Sequence, residues 1–244
     1  MISLIAKEKP KSPVSEAYRM IRTNIQFSGV GKAIKTVLMT SSIPNEGKTT
    51  VTTNLGIVMA QAGYKTIIVD CDFRNPDQHT LFGLPNKGLS NRIALGAEIS
   101  DIIQESGVPN LHVLTSGPVA PNPSEILESA DMTKLLSILE ESYDYILLDS
   151  PPVLPVTDAV ILSNKVDGTI LVVGWGKVMP SEAKIAKERL ARGGAHLLGA
   201  VLNRVEVTTS QYGYGHGYGY GYGYYDYYGE DGEKAHKNKH KEDE

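Results

Sequence analysis

Short apolar runs alternate with segments of helical periodicity along most of the chain. The apolar runs predict β-strands at residues 34–40, 66–69, 111–114, 145–148, 169–173 and 197–202, and the periodic segments predict helices at residues 14–27, 48–62, 132–141 and 181–191. This alternation predicts an α/β fold, in which a mostly parallel central sheet is covered by helices on both faces. Sheets of this kind bind their ligands at the carboxyl ends of the strands.

The alternation stops near residue 205, where the composition of the chain changes. Residues 211–228 are almost entirely Gly and Tyr, and residues 230–244 mix both signs of charge. Because glycine-rich chains lose much entropy on ordering, we expect one domain at residues 1–205 and a flexible tail at residues 206–244. A metal-binding tail is a weaker interpretation, since His216, His236 and His240 are irregularly spaced.

The overall composition excludes several classes of protein. The formal net charge is −4, and no basic stripe of the kind that binds nucleic acid is present in the 244 residues, so we expect no nucleic-acid partner. Cys71 is the only cysteine, which rules out an internal disulfide and favours a reducing compartment. With no secretory signal and no apolar run long enough to span a bilayer, the sequence predicts a cytoplasmic protein.

The segment SSIPNEGKTT, residues 41–50, lies between a predicted strand and a predicted helix. Gly47-Lys48-Thr49 matches the end of the phosphate-loop pattern G-x-x-x-x-G-K-[ST]. In such a loop the glycine lets the backbone approach the phosphates, the lysine neutralises the β and γ oxygens, and the hydroxyl binds Mg²⁺. Ser42 replaces the first Gly of the pattern, and an ordinary strand-to-helix turn is the alternative. The expected nucleotide-binding residues of this loop are Ser42, Pro44, Asn45, Glu46, Gly47, Lys48, Thr49 and Thr50.

Two further predicted strands end in acidic residues. Asp70 and Asp72 follow one strand, and Asp149 ends another. Because Mg²⁺ prefers oxygen ligands, we expect these three carboxylates to gather around one triphosphate; the alternative is that they cap helices. If the strand continues to residue 72, Asp70 and Asp72 point to the same side, and either carboxylate is able to accept a proton from an attacking hydroxyl. We also expect Asn203, at the end of the last strand, near the adenine, although a structural role is equally compatible with its position.

Three stretches together, SSIPNEGKTT, VDCDFRNP and ILLDSPP, resemble the Walker A, Walker A′ and Walker B motifs of the bacterial tyrosine kinases. PNPSEILES at residues 121–129 and SEAYRMIRTNIQF at residues 15–27 are also similar to stretches of that family. The resemblance covers about residues 12–205. It implies a P-loop fold of the deviant Walker type and an ATP-dependent autokinase that phosphorylates a C-terminal tyrosine cluster.

The resemblance also implies a role for each motif residue. Lys48 matches the Walker A lysine, Thr49 the Mg²⁺-binding hydroxyl and Asp149 the Walker B carboxylate. Asp70 and Asp72 match the Walker A′ pair, for which we expect Asp70 to accept the tyrosine proton and Asp72 to bind Mg²⁺ or water. The implied phosphate acceptors are Tyr212, Tyr214, Tyr218, Tyr220, Tyr222, Tyr224, Tyr225, Tyr227 and Tyr228. Without the kinase motifs, we would interpret this stretch as an adhesive low-complexity segment.

Glu16, Arg19 and Arg22 are spaced by three residues and share roughly one face of the first long helix. The resemblance implies that these residues build a ring of subunits, in which the tail of one subunit enters the site of the next. The alternative is a solvated helix face with weak internal ion pairs.

The resemblance is to the Gram-positive type of this family, and it also implies partners. They are a transmembrane adaptor of the polysaccharide co-polymerase type, which would recruit the kinase to the inner face of the plasma membrane, and a cognate tyrosine phosphatase. The implied process is the synthesis and export of capsular or extracellular polysaccharide. Two other functions stay open. One is a positioning or partition ATPase that hydrolyses ATP with water, although that class has a lysine where Ile43 stands, and the other is a scaffold that binds nucleotide without catalysis.

Overall fold

The structure is a computed structural model that describes residues 4–29, 31, 33–118 and 121–205, and for residue 94 only the backbone. The predicted tail, with its tyrosines and histidines, lies outside these residues, so the boundary at residue 205 stays a prediction. Within the part of the chain that the structure describes, no helix is both long enough and apolar enough to cross a membrane.

The described residues form a seven-stranded sheet in the order β3-β4-β2-β5-β1-β6-β7. The strands are β1 (Thr36–Ser41), β2 (Thr66–Asp70), β3 (Ile103–Val108), β4 (Leu111–Leu114), β5 (Tyr145–Asp149), β6 (Gly168–Gly174) and β7 (Leu197–Asn203). Neighbouring strands are parallel, except that β3 and β4 are antiparallel. The prediction of a mostly parallel sheet is confirmed.

Helices precede the first strand and lie between the later ones. They are α1 (Ile5–Glu8), α2 (Pro13–Ser28), α3 (Lys48–Gln61), α4 (Gln78–Phe82), α5 (Leu89–Leu95), α6 (Pro123–Glu128), α7 (Ala130–Ser142), α8 (Asp158–Ser163) and α9 (Pro180–Arg192), with a short 3₁₀ turn at Ile99–Asp101. The start of α2 follows from its sequence, because the Ser12 hydroxyl accepts a hydrogen bond from the backbone N–H of Ser15 and Pro13 occupies the first turn.

Alternate residues of the central strands pack into two apolar cores, one on each face of the sheet. Val37 and Met39 of β1 pack in one core with Leu55 of α3, whereas Leu38 packs in the other core with Leu135 of α7. Successive side chains of a strand point to opposite faces, so a strand covered by helices on both sides must be apolar at every position. This is why the central strands were visible in the sequence as short continuous apolar runs, and the predicted α/β fold is confirmed.

The structure differs from the sequence-based prediction at the edge of the sheet and at the end of β2. Strand β3 was not predicted, because its sequence IQESGV is polar and it pairs only with β4. The short helices α1, α4, α5, α6 and α8 were also missed, since segments of four to seven residues carry too little periodicity. Strand β2 ends at Asp70, so the strand does not continue to Asp72 as the shared-side argument required.

Candidate active site

The carboxyl ends of the central strands bring the predicted motifs together. Strand β5 lies between β2 and β1, and Asp149 pairs in register with Asp70 of β2 and with Met39 of β1. The phosphate loop, residues 42–47, follows β1 directly and leads into α3, which begins at Lys48. The predicted loop and the acidic strand ends therefore meet at one edge of the sheet.

Strands β6 and β7 hold the phosphate loop, and their hydrogen bonds are made to Glu46. Its side chain is fully buried, and its two carboxylate oxygens accept 2.8 Å hydrogen bonds from the backbone N–H groups of Ile43 and Gly174. Its carbonyl oxygen accepts a bond of 2.8 Å from Asn203 Nδ2. Glu46 and Asn203 were both predicted to contact the nucleotide, but in the structure their side chains form hydrogen bonds that hold the loop. The predicted contact of Asn203 with adenine stays untested.

Gly47 is needed at its position for two reasons. Its φ of +93° lies in the left-handed region, which side chains other than glycine rarely adopt. A Cβ atom at this position would also overlap the side-chain amide of Asn203. The glycine therefore allows β7 to approach the loop closely.

Lys48 lies between two carboxylates. Its Nζ atom is 2.9 Å from Asp72 Oδ2 and 3.7 Å from Asp149 Oδ1, and it donates to the hydroxyl of Thr49 at 3.2 Å. The ammonium group is almost enclosed, with its side chain 12% exposed. This arrangement places a positive charge and two negative charges at the start of α3, where phosphates bind in P-loop proteins.

Asp70 and Asp72 have different surroundings. Both carboxylate oxygens of the fully buried Asp70 accept backbone N–H bonds, one from Asp72 and one from Gln78, each of 3.1 Å. Asp72 accepts a backbone bond only at Oδ1, from Asn75 at 2.9 Å, while its Oδ2 faces Lys48. Asp70 therefore fixes the backbone after β2, whereas Asp72 presents one oxygen to the site.

The buried charges change each other's pKa. Burial, with a further contribution from the charge of Asp149, raises the pKa of Asp70 well above its ordinary value. Burial also raises the pKa of Asp149, although the positive charge of Lys48 opposes the effect. Burial alone would lower the pKa of Lys48, but the charges of Asp149 and Asp72 outweigh it and raise this pKa. The lysine stays protonated, and a cation near the two strand-end carboxyls would favour their ionised form.

Gln78 is a site residue that the sequence analysis missed. It is fully buried at the start of α4, where its Nε2 donates to Asp149 Oδ2 at 3.0 Å and its Oε1 accepts from the hydroxyl of Thr53 at 3.0 Å. An amide in the polar segment NPDQHT carries no motif or periodicity that would single it out. The one sequence signal that could have found Gln78 is its separation of eight residues from Asp70, because a turn between them brings the chain back to the sheet.

The residues around Asp149 fit a Mg²⁺ ion. Asp149 Oδ1 is buried without a hydrogen-bond partner, and the hydroxyl of Ser42 in the phosphate loop is likewise buried and unpartnered. Among the residues that the structure describes, no three His, Cys, Asp or Glu side chains form a metal-binding group. Mg²⁺ needs only one or two carboxylates, since water and substrate phosphates supply its other ligands.

Comparison with known proteins identifies the family. A family described as "AAA domain" matches residues 34–174. The chain is 43% identical to the "Putative tyrosine-protein kinase CapB" of Staphylococcus aureus over 93% of its own length and 96% of that protein. It is 44% identical to the "Tyrosine-protein kinase YwqD" of Bacillus subtilis (strain 168), over 86% of its own length and 90% of that protein. The chain belongs to the bacterial tyrosine kinases. It is therefore a nucleotide-binding protein-tyrosine kinase.

Solved structures agree with this assignment. The chimeric protein CapA2B2 matches the kinase with a TM-score of 0.80 and 43% identity, over 83% of this chain and 89% of that chain. The kinase domain of Escherichia coli ETK matches with a TM-score of 0.81 and 33% identity, over 88% and 85% of the two chains. The septum site-determining protein MinD of Pyrococcus horikoshii, solved with Mg-ADP, has a TM-score of 0.59 at 24% identity over 69% of each chain and shares the fold.

The three helix residues predicted to join subunits of the kinase contact their own chain. Arg19 Nη1 pairs with Glu16 Oε2 at 2.7 Å, and Arg19 Nη2 donates to the carbonyl of Pro10. Arg22 Nη1 donates to the carbonyl of Val58 in α3 at 3.1 Å. The internal ion pair of the alternative interpretation is therefore present, and the contact between subunits stays a proposal.

A further buried carboxylate of the kinase joins the Walker A′ segment to two other loops. Asp158, fully buried at the start of α8, accepts hydrogen bonds from Arg74 Nε at 3.1 Å and from the hydroxyl of Ser124 at 2.7 Å. Arg74 follows Asp72 by two residues, Ser124 lies in the PNPSE segment, and Asp158 follows the Walker B strand. The ion pair thus holds together three segments that surround the acidic strand ends.

Proposed function

We propose that this tyrosine kinase transfers the γ-phosphoryl group of ATP to tyrosines within its own residues 206–244. The observation that carries the proposal is the position of the Lys48 ammonium group, 2.9 Å from Asp72 and 3.7 Å from Asp149. Phosphoryl transfer depends mainly on positioning and charge stabilisation, which a lysine between carboxylates at a phosphate loop is suited to provide. The nine tyrosines between Tyr212 and Tyr228 supply acceptor hydroxyls.

In this proposal the loop and the strand ends divide the binding of ATP. Backbone N–H groups of the loop and of the first turn of α3 surround the phosphates, except at Pro44, which has none, and at Ile43, whose N–H is bound by Glu46. Lys48 exchanges its contact with Asp72 for the β and γ oxygens.

Thr49 and Asp149 would hold Mg²⁺. The sequence-based prediction that Asp72 also binds the metal stays untested and is left out of this proposal, because Asp72 Oδ1 already accepts a backbone hydrogen bond and only Oδ2 is available. Bound Mg²⁺ neutralises negative charge on the phosphates during transfer.

The tyrosine oxygen bonds to the γ phosphorus, the bond to the β–γ bridging oxygen breaks, and the hydroxyl proton passes to a carboxylate. The sequence-based prediction gave this proton to Asp70, and that assignment stays untested. The geometry favours Asp72, because both oxygens of Asp70 already accept backbone N–H bonds, whereas Asp72 Oδ2 becomes available once Lys48 turns to phosphate. We therefore propose Asp72 as the proton acceptor and Asp70 as the residue that holds the segment after β2.

We further propose that transfer occurs between subunits of a ring-shaped homo-oligomer. The side chains of Glu16 and Arg19 are 48% and 29% exposed, which leaves both in reach of a neighbouring subunit. Each phosphate added to a tail would contribute about −1.5 to −2 charges. The repulsion between phosphorylated tails would then release the assembly.

The partners and the biological process are proposed from the resemblance to Gram-positive members of the family. A transmembrane adaptor of the polysaccharide co-polymerase type would bring the kinase to the inner face of the plasma membrane and stimulate it. A cognate phosphatase would remove the phosphates. The cycle of phosphorylation would regulate the synthesis and export of capsular or extracellular polysaccharide.

The test is to follow where the phosphoryl group goes. Purified full-length kinase is incubated with Mg-ATP, and phosphotyrosine and free phosphate are both quantified. We expect phosphotyrosine to account for the early turnover. Release of phosphate to water without any phosphotyrosine would instead support the partition-type ATPase.

A mixing experiment separates transfer within a chain from transfer between chains. An active kinase truncated after Val205 supplies the site, and full-length Lys48→Met supplies the tail. Transfer between subunits predicts phosphotyrosine on the Lys48→Met chain. A tail that is modified only when it belongs to an active chain would contradict that part of the proposal.

A further inference from the structure

The side-chain amide of Gln78 has one possible orientation between its neighbours. An ionised carboxylate only accepts hydrogen bonds, so the atom of Gln78 that faces Asp149 Oδ2 at 3.0 Å must be the donor Nε2. The carbonyl Oε1 then faces the hydroxyl of Thr53, which is able to donate to it. Rotating the amide by 180° would place its oxygen against a carboxylate oxygen. The amide orientation is therefore fixed by Asp149.

The same hydrogen bond makes the two oxygens of Asp149 different. Oδ2 is occupied by Gln78, whereas Oδ1 is buried, has no hydrogen-bond partner and lies 3.7 Å from Lys48 Nζ. A carboxylate without such a bond is free to rotate about its last side-chain torsion, which is a broad two-fold torsion. Gln78 therefore fixes the plane of the Asp149 carboxylate, so that one oxygen is held by the amide and the other is presented to Lys48 and the phosphate loop.

Gln78 also connects Asp149 to the two other motifs. Its backbone N–H donates to Asp70 at the end of β2, and its Oε1 accepts from Thr53. The Thr53 hydroxyl has a single proton, which is shared between Gln78 Oε1 and the carbonyl of Thr49, 2.8 Å away in the first turn of α3. A displacement of α4 would thus change all three motifs together.

We propose that Gln78 is a positioning residue for Mg²⁺, acting through Asp149. The proposal rests on the function proposed above, in which Asp149 binds the metal. A neutral amide suits this task, because it orients the carboxylate without adding a second positive charge beside Lys48. Removal of a residue that hydrogen-bonds to a metal ligand typically lowers the affinity for the metal by about 10–100-fold.

The experiment measures nucleotide binding rather than turnover. Isothermal titration calorimetry gives the dissociation constant of ADP for the full-length protein with EDTA and with Mg²⁺, and the ratio of the two is the gain due to the metal. Gln78→Met keeps the length of the side chain but removes its donor and its acceptor. We expect this variant to bind ADP in EDTA as the wild type does and to lose about 10–100-fold of the Mg²⁺-dependent gain.

Two further variants make the result specific. Gln78→Glu keeps the shape and turns the donor into an acceptor facing Asp149, so we expect an equal or larger loss of the Mg²⁺ gain. Gln61→Met is the matched control, since Gln61 Nε2 also donates a hydrogen bond, but to the carbonyl of Ala6 away from the site. The control should keep the full gain. Thermal unfolding of each variant checks that it is folded. If Gln78→Met does not fold, the Mg²⁺-dependent gain of Gln78→Glu is the measurement that tests the proposal.

The outcomes distinguish this proposal from the function on which it rests. If Asp149→Asn loses the Mg²⁺ gain while Gln78→Met and Gln78→Glu both keep it, Gln78 has no positioning role and only this inference is overturned. If Asp149→Asn itself keeps the gain, Asp149 is not a metal ligand, so this inference and the proposed metal-binding role of Asp149 are both wrong, whereas the phosphotyrosine measurement decides the transfer reaction separately. Loss of the gain in Asp149→Asn and in the folded Gln78 variants, but not in Gln61→Met, supports both.

Discussion

The side-chain carboxylate of Glu46 in the phosphate loop accepts a 2.8 Å hydrogen bond from the backbone N–H of Gly174, which lies 128 residues later at the end of β6. Its other oxygen accepts a bond of 2.8 Å from Ile43 within the same loop. One buried side chain therefore sets both the shape of the loop and its position on the sheet. Glu46 is a charged residue whose side chain supports the loop from the protein interior.

This relationship predicts the effect of Glu46→Gln. The amide would keep one acceptor but would point an N–H₂ group at a backbone N–H, leaving a buried donor unsatisfied at a cost of about 1–3 kcal/mol. We expect the variant loop to relax away from this contact in the free protein, so that binding of ADP has to restore its shape. Because about 1.4 kcal/mol corresponds to a factor of ten in binding, the affinity for ADP in EDTA should then fall about tenfold. Calorimetry measures the affinity and chemical denaturation the stability. Unchanged values of both would show that the carboxylate does not hold the loop.

The different surroundings of Asp70 and Asp72 predict different defects. Asp72→Asn removes the proposed proton acceptor, so we expect the rate of tyrosine phosphorylation in a single turnover to fall by about 10²–10⁴. It also removes the ion pair with Lys48, so its stability is measured separately. Asp70→Asn disturbs two backbone hydrogen bonds, and we expect a loss of about 1–3 kcal/mol in the free energy of unfolding. Rapid-quench kinetics and denaturation of both variants provide the comparison. The reverse pattern, a stable Asp70→Asn with the larger kinetic defect, would restore Asp70 as the proton acceptor.

The ion pair of Arg74 with Asp158 predicts a measurable coupling energy. Asp158 is fully buried, but the Arg74 side chain is 44% exposed, so solvent screening reduces the 3–5 kcal/mol typical of breaking a fully buried pair to about 1–3 kcal/mol. A double-mutant cycle with Arg74→Ala and Asp158→Asn measures this energy. The matched control is the exposed pair of Glu16 and Arg19, for which we expect below about 1 kcal/mol. Equal couplings in the two cycles would disprove the bridging role of Asp158.

The pKa of Asp149 predicts how metal binding depends on pH. Burial raises this pKa, so a larger fraction of Asp149 is protonated in acid than for an exposed aspartate, and the protonated form does not bind Mg²⁺ well. The affinity for Mg-ADP should therefore increase with pH through the raised pKa and then level off. Titrations between about pH 5 and about pH 8, compared with ADP in EDTA, measure the dependence. An Mg²⁺ gain that is constant over this range, or larger in acid, would contradict the assignment of Asp149.

The sequence predicted the centre of the fold and the motif residues, for a physical reason. The central strands are buried on both faces and therefore appear as apolar runs, and parallel strands bring their carboxyl ends to one edge, so Lys48, Asp72 and Asp149 were expected together. The loop pattern itself identified Gly47 and Lys48. These predictions depend on local sequence and on one rule of topology.

The residues that support the site were beyond sequence reasoning, because their partners are distant in the chain. The inward orientation of the Glu46 side chain depends on Gly174, 128 residues away, and the bond from Asn203 to the Glu46 carbonyl spans 157 residues. The role of Gln78 depends on Asp149, 71 residues away. Side-chain hydrogen bonds of this kind have no periodicity in the sequence. Strand β3 was missed for a related reason, since a polar edge strand has only one neighbour to define it.

The most direct test of the central claim is mass spectrometry of the tail after incubation of the full-length protein with Mg-ATP. The account predicts phosphate esters on tyrosines between Tyr212 and Tyr228, and none on the same peptides of the Lys48→Met variant. Peptides that stay unmodified in the wild type, or that carry equal amounts of phosphate in the wild type and in Lys48→Met, would contradict it.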